Sequence, residues 1–223
     1  QNSWTFNVAD VQRLDFGDAP VGYGDAYHPV PPTPSVFLGA LVDGDDGPNY
    51  TASANGDDIT GVDDEDGVAS FPALLTNSTS YSLNLTCVGT NAPVTGWIDF
   101  NKNSTFENTT EKALGTCNGS TVTLNWTGLS GLTVGSTYAR FRTSSISAEI
   151  ASPIGQASNG EVEDYQVAIS LPNSVSGTLF EDRNRDDLLT GGEPRLPAGA
   201  VVRLLNGNDP NIEIATATTD ANG

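Results

Sequence analysis

Basic side chains are scarce in this chain of 223 residues: nine Lys and Arg stand against 28 Asp and Glu, a formal net charge of −19. A phosphate-binding surface needs a basic patch, so nucleic acid is excluded as a partner. Long apolar runs are missing as well, which excludes membrane insertion by a spanning helix. No stretch carries the 3.6-residue period of a long amphipathic helix. Histidine occurs once, at His28, with no Ser-His-Asp or Cys-His grouping around it. Two carboxylates can be imagined as a glycosidase pair, but nothing separates such a pair from metal ligands. The chain is therefore read as a non-enzyme. Cysteine occurs twice, as Cys87 and Cys117. One disulfide is the expected use in a chain of secreted character, contributing roughly 3–4 kcal/mol in the chain-entropy model; two buried free thiols are the alternative. No signal peptide is visible, and Gln1 is expected to be a mature terminus left by cleavage.

Gly, Pro, Asn, Thr and Ser are abundant instead, which indicates short strands joined by tight turns. Trp4, Phe6 and Val8 alternate with Ser3, Thr5 and Asn7, so residues 1–12 are expected to form a strand with one apolar face. Residues 15–70 are loop-rich and acidic. Residues 71–171 carry the clearest strand patterns, with Tyr81, Leu83, Leu85 and Cys87 on alternate positions and Val122, Leu124 and Trp126 likewise. Pro172-Asn173 is a short linker to a second unit, with strands expected near 175–180, 199–205 and 212–219. The predicted fold is all-β: a β-sandwich over 13–171 and a smaller Ig-like sandwich over 172–223. Thr218-Thr219-Asp220-Ala221-Asn222-Gly223 reads as a turn that should lead into a further strand. The second sheet is thus expected to lack its last strand and to leave an apolar edge, which is costly unless covered.

The acids are clustered. Asp43, Asp45 and Asp46 form one group, and Asp57, Asp58, Asp63, Asp64, Glu65 and Asp66 another. Such clusters are either solvated loops or ligands for a hard cation. Asp182-Arg-Asn184-Arg-Asp186-Asp-Leu188-Leu-Thr190-Gly-Gly-Glu193 fits the twelve-residue EF-hand-type calcium loop. Asp182, Asn184 and Asp186 offer side-chain oxygens at positions one, three and five, Leu188 its carbonyl at seven, Thr190 sits at nine, and Glu193 supplies the closing carboxylate. Asp187 stands where Gly is usual, and Asp tolerates the left-handed backbone needed there. A polar β-turn is the alternative. A second loop, Asp99-Phe-Asn101-Lys-Asn103-Ser-Thr105-Phe-Glu107 with Glu111 beyond it, repeats the oxygen spacing with fewer charges and is expected to bind calcium more weakly. Gly160-Glu161-Val162-Glu163-Asp164-Tyr165 sets three carboxylates in four residues, either bridged by a cation or on a solvated strand edge; Glu163 or Asp164 is expected to close the coordination of the Asp99 loop.

Seven Asn-x-Ser/Thr sequons begin at Asn49, Asn77, Asn84, Asn103, Asn108, Asn118 and Asn125. Asn84 and Asn125 fall on the outward face of their strands, where an N-linked glycan has room. Asn103 cannot serve as glycan anchor and calcium ligand at once without conflict.

Residues 15–170 resemble a GEVED domain. The matching words are Asp15-Phe-Gly-Asp18-Ala-Pro20, Tyr23-Gly-Asp25-Ala-Tyr-His28, Leu38-Gly39, Gly56-Asp57-Asp58 through Asp63-Asp64-Glu65-Asp66-Gly67-Val68, Gly96-Trp97-Ile98-Asp99-Phe100-Asn101 and Gly160 to Tyr165. The resemblance implies a secreted β-sandwich of large surface proteins. Residues 175–223 are similar to the calcium-binding B-repeats of serine-aspartate-repeat adhesins, through Val175-Ser-Gly-Thr-Leu-Phe180, the calcium loop, Gly192-Glu193-Pro194 and Thr219 to Gly223. That similarity implies a collagen-adhesin-B-like stalk module. Related domains form a Lys–Asn isopeptide bond, but the only lysines here are Lys102 and Lys112, so that bond is excluded within the second unit.

Such repeats continue after the Asn-Gly turn with a Tyr-x-Phe type strand, and Ser3-Trp4-Thr5-Phe6-Asn7-Val8 has that character. Three arrangements follow: strand addition between neighbouring chains, one unit of a covalent tandem array, or a strand folded back within the chain. The chain is expected to be an extracellular structural subunit of a fibre or adhesin stalk, joined head to tail to copies of itself and stiffened by calcium. A calcium-dependent adhesin module binding a glycan or surface protein is the alternative, with Tyr23, Tyr27 and Tyr50 as contacts.

Overall fold

A computed structural model describes residues 13–56 and 64–223, and the chain divides into two compact units between Pro172 and Asn173. The expected strand bearing Trp4, Phe6 and Val8 lies outside the described residues, as do Asp57, Asp58 and Asp63. Within the first unit the described strands are β1 (Arg13–Phe16), β2 (Ala26–Val30), β3 (Phe37–Leu38), β4 (Leu74–Leu75), β5 (Ser80–Val88), β6 (Thr90–Ile98), β7 (Lys112–Asn118), β8 (Thr121–Thr127), β9 (Gly135–Thr143), β10 (Gly155–Gln156) and β11 (Glu161–Ser170). They form a five-stranded sheet, β4-β11-β9-β6-β7, and two three-stranded sheets, β3-β5-β8 and β1-β2-β10.

Period-two alternation sets the first packing layer. Tyr81, Leu83, Leu85 and Cys87 of β5 are buried, as are Val122, Leu124 and Trp126 of β8, while Ser82, Asn84, Thr123 and Asn125 are exposed. The register puts Tyr81 opposite Trp126, Leu83 opposite Leu124 and Leu85 opposite Val122, so a one-residue slip would turn the whole apolar set to water. That face packs on Val94, Ile98, Ala139, Phe141, Val167 and Ile169 of the five-stranded sheet, making a β-sandwich core. Cys87 and Cys117 are bonded, S–S 2.07 Å, and tie β5 of one sheet to β7 of the other.

The five-stranded sheet is covered on its second face too. Arg140 and Arg142 of β9 alternate with Phe141 and face away from the core, yet both are fully buried. The β1-β2-β10 layer and its flanking loops close over them. His28 of β2 receives a hydrogen bond from Arg142 (3.1 Å), and Gly24 and Gly155 accept others from the two guanidinium groups at 2.8 and 2.7 Å. Ala19, Tyr23, Trp97 and Phe106 form a small apolar cluster on this side.

The second unit contains β12 (Val201–Asn206) and β13 (Asp209–Thr218), an antiparallel pair with irregular register beyond Leu204. They correspond to the strands expected near 199–205 and 212–219. Where a strand is expected near 175–180, the structure has an isolated bridge, Phe180 to Arg195, flanked by hydrogen bonds from Glu181 N to Pro194 O and from Leu196 N to Leu179 O; this segment pairs with neither β12 nor β13. A two-stranded ribbon has no interior of its own. Val201, Ile212 and Ile214 are accordingly 60%, 51% and 60% exposed.

Candidate metal centres

The loop from Asp182 to Glu193 is folded around its own oxygens. Asp182 Oδ1 accepts from Arg185 N (2.6 Å) and Oδ2 from Asp187 N (3.1 Å). Asn184 Oδ1 accepts from Asp186 N at 3.0 Å, and Asp186 Oδ1 from Leu188 N at 2.9 Å. Glu193 reaches back to take Arg183 N (3.1 Å) and Thr190 N (2.9 Å). Arg185 and Asp187 adopt φ of 61°, the left-handed geometry that turns alternate side chains inward. One oxygen each from Asp182, Asp186 and Glu193 lies within 4.8 Å of the others. Opposed ligands at a Ca–O distance of about 2.4 Å stand about 4.8 Å apart, so an all-oxygen set of this span fits calcium. Asn184 Nδ2 donates to Asp186 Oδ2 (2.9 Å) and to Thr190 Oγ1 (3.3 Å) within the same loop.

The Asp99 loop leaves the end of β6 in the same way. Asp99 is fully buried; its oxygens accept from Asn103 N (3.2 Å), Ser104 N (2.9 Å) and the Tyr23 hydroxyl (2.7 Å). Lys102 and Ser104 take the left-handed positions, φ 58° and 66°. Asn103 Oδ1 accepts from Thr105 N at 3.0 Å, Asn101 Oδ1 accepts from Asn103 N at 2.9 Å, and Glu111 takes Glu107 N at 2.9 Å. Glu107 accepts from Asn101 Nδ2 (3.1 Å) and Asn103 Nδ2 (2.7 Å), so it belongs to the cluster. Its position, two residues past Thr105, continues the alternate-residue spacing of the loop. Burial first, and then the charge of Asp99, push Glu111 up to about 7. A cleft of about 270 Å³ lined by Phe100, Asn101, Glu107 and Glu111 opens beside it.

Glu163 and Asp164 do not close this loop. Asp164 faces the second layer, where it forms a buried pair with Arg140 (2.7 Å to each oxygen) and accepts from Ala19 N at 2.8 Å. Glu163 points to the opposite face of β11 and accepts from Gly67 N (2.8 Å) and the Tyr165 hydroxyl (3.1 Å). Strand alternation separates the two, and each has its contacts in its own layer: Asp164 with Arg140 and Ala19, Glu163 with Gly67 and Tyr165. The solvated-edge alternative also fails: Glu161, Glu163 and Asp164 are all buried.

Asn77, Asn84, Asn103, Asn108, Asn118 and Asn125 are exposed and Asn49 is half-buried. Asn118 caps the β7–β8 turn through Oδ1, accepting from Ser120 N (3.1 Å) and Thr121 N (3.0 Å), and Asn108 Oδ1 accepts from Trp97 Nε1 at 3.0 Å. Of the tyrosines expected as ligand contacts, Tyr23 is buried against Phe106 and Tyr27 stacks on Phe16; Tyr50 donates to Asp25. Among the described residues no helix is long and apolar enough to cross a membrane.

No curated protein and no solved structure matches the chain. Residues 93–168, from within β6 through most of β11, match the family model of the GEVED domain, a domain of extracellular, adhesin-like proteins.

Proposed function

We propose that the chain is an extracellular structural subunit of a fibre or adhesin stalk, joined head to tail to its own copies by β-strand addition and stiffened by calcium at the Asp182 and Asp99 loops. One observation carries the reading: among the described residues the sheet of the second unit is two-stranded and leaves Val201, Val202, Leu204, Leu205, Ile212 and Ile214 exposed. Apolar, β-branched strands of this kind gain stability only when further strands or a cover are added. The segment Ser3 to Val8 has the alternation of such a strand. Donor and acceptor are different surfaces, so the contact is heterologous and propagates as an open filament rather than closing into a ring. The second unit is read as B-repeat-like, with the calcium loop at its turn. A non-catalytic role agrees with the fully buried state of His28.

Deleting residues 1–9 tests this directly. The wild-type chain is expected to form filaments in negative-stain images, and the shortened chain to remain dispersed. Filaments of ordinary length from the shortened chain would overturn strand addition.

A further inference from the structure

The outward face of the sheet β3-β5-β8 differs in character from the acidic loops around it. Ser80, Ser82, Asn84 and Thr86 of β5 and Thr121, Thr123, Asn125 and Thr127 of β8 are all exposed. The register sets them opposite one another as Ser80–Thr127, Ser82–Asn125, Asn84–Thr123 and Thr86–Thr121. None of these positions carries a charge, in a chain with 28 acids and nine bases. Mutual repulsion keeps copies of so acidic a chain apart, but it does not act from this face. Among the described residues β8 is also the end strand of its sheet. An end strand is a template for further pairing unless something blocks it.

Two of the Asn-x-Thr sequons lie within the face. In Asn84-Leu85-Thr86 and Asn125-Trp126-Thr127 the middle residue belongs to the core: Leu85 is 1% and Trp126 3% exposed. Period-two alternation then turns each asparagine, and the hydroxyl two residues on, to the same solvent side. Asn84 and Asn125 stand on adjacent strands, one diagonal step apart. Asn84 Oδ1 accepts from Thr123 Oγ1 at 2.6 Å, and among the described residues Nδ2 of neither asparagine makes a hydrogen bond. Amides of other sequons are in use. Asn103 Nδ2 donates to Glu107 (2.7 Å) and Asn118 Nδ2 to Thr121 Oγ1 (3.3 Å), while Asn108 Oδ1 accepts from Trp97 Nε1 (3.0 Å). Asn77 is exposed in the turn before β5, outside the face.

We propose that this sheet face is glycosylated, with N-linked glycans on Asn84 and Asn125. The co-reactant is an oligosaccharide carried on a lipid phosphate. The bond from asparagine Nδ2 to the anomeric carbon forms, the bond from that carbon to the phosphate oxygen breaks, and the amide proton leaves with the lipid phosphate. Two hydrated, uncharged glycans side by side supply the separation between copies that charge does not supply here, and they stand over the end strand β8. Neither strand addition nor the calcium loops enter this inference.

The test uses the chain purified from its source organism, digested and mapped by mass spectrometry before and after chemical removal of sugars. The peptides holding Asn84 and Asn125 are expected to carry at least one sugar each and to return to their sequence masses after treatment. Either peptide found only at its unmodified mass overturns the assignment at that asparagine, whatever the other sequons carry. Thr86→Ala and Thr127→Ala, made in the same organism, remove the hydroxyl of each sequon and leave its asparagine in place. Each is expected to lose the glycan of its own sequon alone; sugar retained there overturns the N-linked assignment. The double variant is expected to keep the near-ultraviolet dichroism of wild type and to associate face to face, read as a rise in light-scattering mass. A glycan-free double variant that scatters like wild type overturns the shielding role.

Discussion

His28 sits between a donor and an acceptor of fixed character. Arg142 Nε can only donate, so Nε2 of the imidazole accepts, and Nδ1 must carry the proton it gives to Asn159 O at 2.8 Å. A second proton has no partner. Burial first, and then the Arg142 charge, lower the group to about 3. Its folded value lies below the unfolded 6.5, so the unfolded chain binds the extra proton between those limits and stability falls with pH across that window. Against His28→Gln, the wild-type advantage in unfolding free energy is expected to shrink by about 1.4 kcal/mol per pH unit from pH 6 to pH 4. Denaturant melts of the two proteins measure it; a constant gap would show that the imidazole is already charged or solvated. With one histidine in the chain, its ring resonances report the same titration without assignment. Gly160 shows a different side of residue-scale reading. It is recognisable in the sequence as the first letter of a motif. Its physical reason is not, since that is a φ of 95° and a site where a Cβ would lie 1.9 Å from Thr143 O.

At the scale of elements, what could be read in the sequence was whatever has one face in a core and one in water. The alternation in β5 and β8 gave those strands, their inward residues and the outward Asn84 and Asn125. The layer between β9, β11 and β1-β2-β10 was not legible. Arg140, Arg142, Asp164 and Asp15 are polar and alternate with apolar neighbours, so on pattern alone they belong outside. Their burial depends on a third sheet formed by short strands, one of only two residues, whose pairing is set by contacts distant in sequence. The Asp182 loop was legible because its ligands are local and regularly spaced. The disulfide works at this scale too. It joins β5 to β7, across the two faces of the core, and closes a loop of 30 residues. Replacing both cysteines by serine is expected to lower the thermal midpoint by about 10 °C, from a loss of roughly 3–4 kcal/mol. An unchanged midpoint in a calorimetric scan would mean that the sheets hold together without the link.

Over the whole molecule the charge of −19 is concentrated rather than spread, and it falls into two environments. The carboxylates of the Asp182 loop are exposed (Asp186, Asp187) or half-buried (Asp182, Glu193), whereas Asp99, Glu111, Glu161 and Glu163 are buried. Salt distinguishes them. At 0.5 M sodium chloride the Debye length is only about 4 Å, so mutual repulsion among exposed acids is largely screened. Mobile ions do not enter the interior, and buried carboxylates keep their repulsion and their desolvation cost until a bound cation or a proton neutralises them. A chelator is therefore expected to lower the melting temperature markedly, and 0.5 M sodium chloride to restore less than half of that fall. Replacing the chelator with excess calcium should restore all of it. Complete recovery with sodium chloride alone would mean that calcium acts only on the surface field, and that the buried acids of the first unit need no ion of their own.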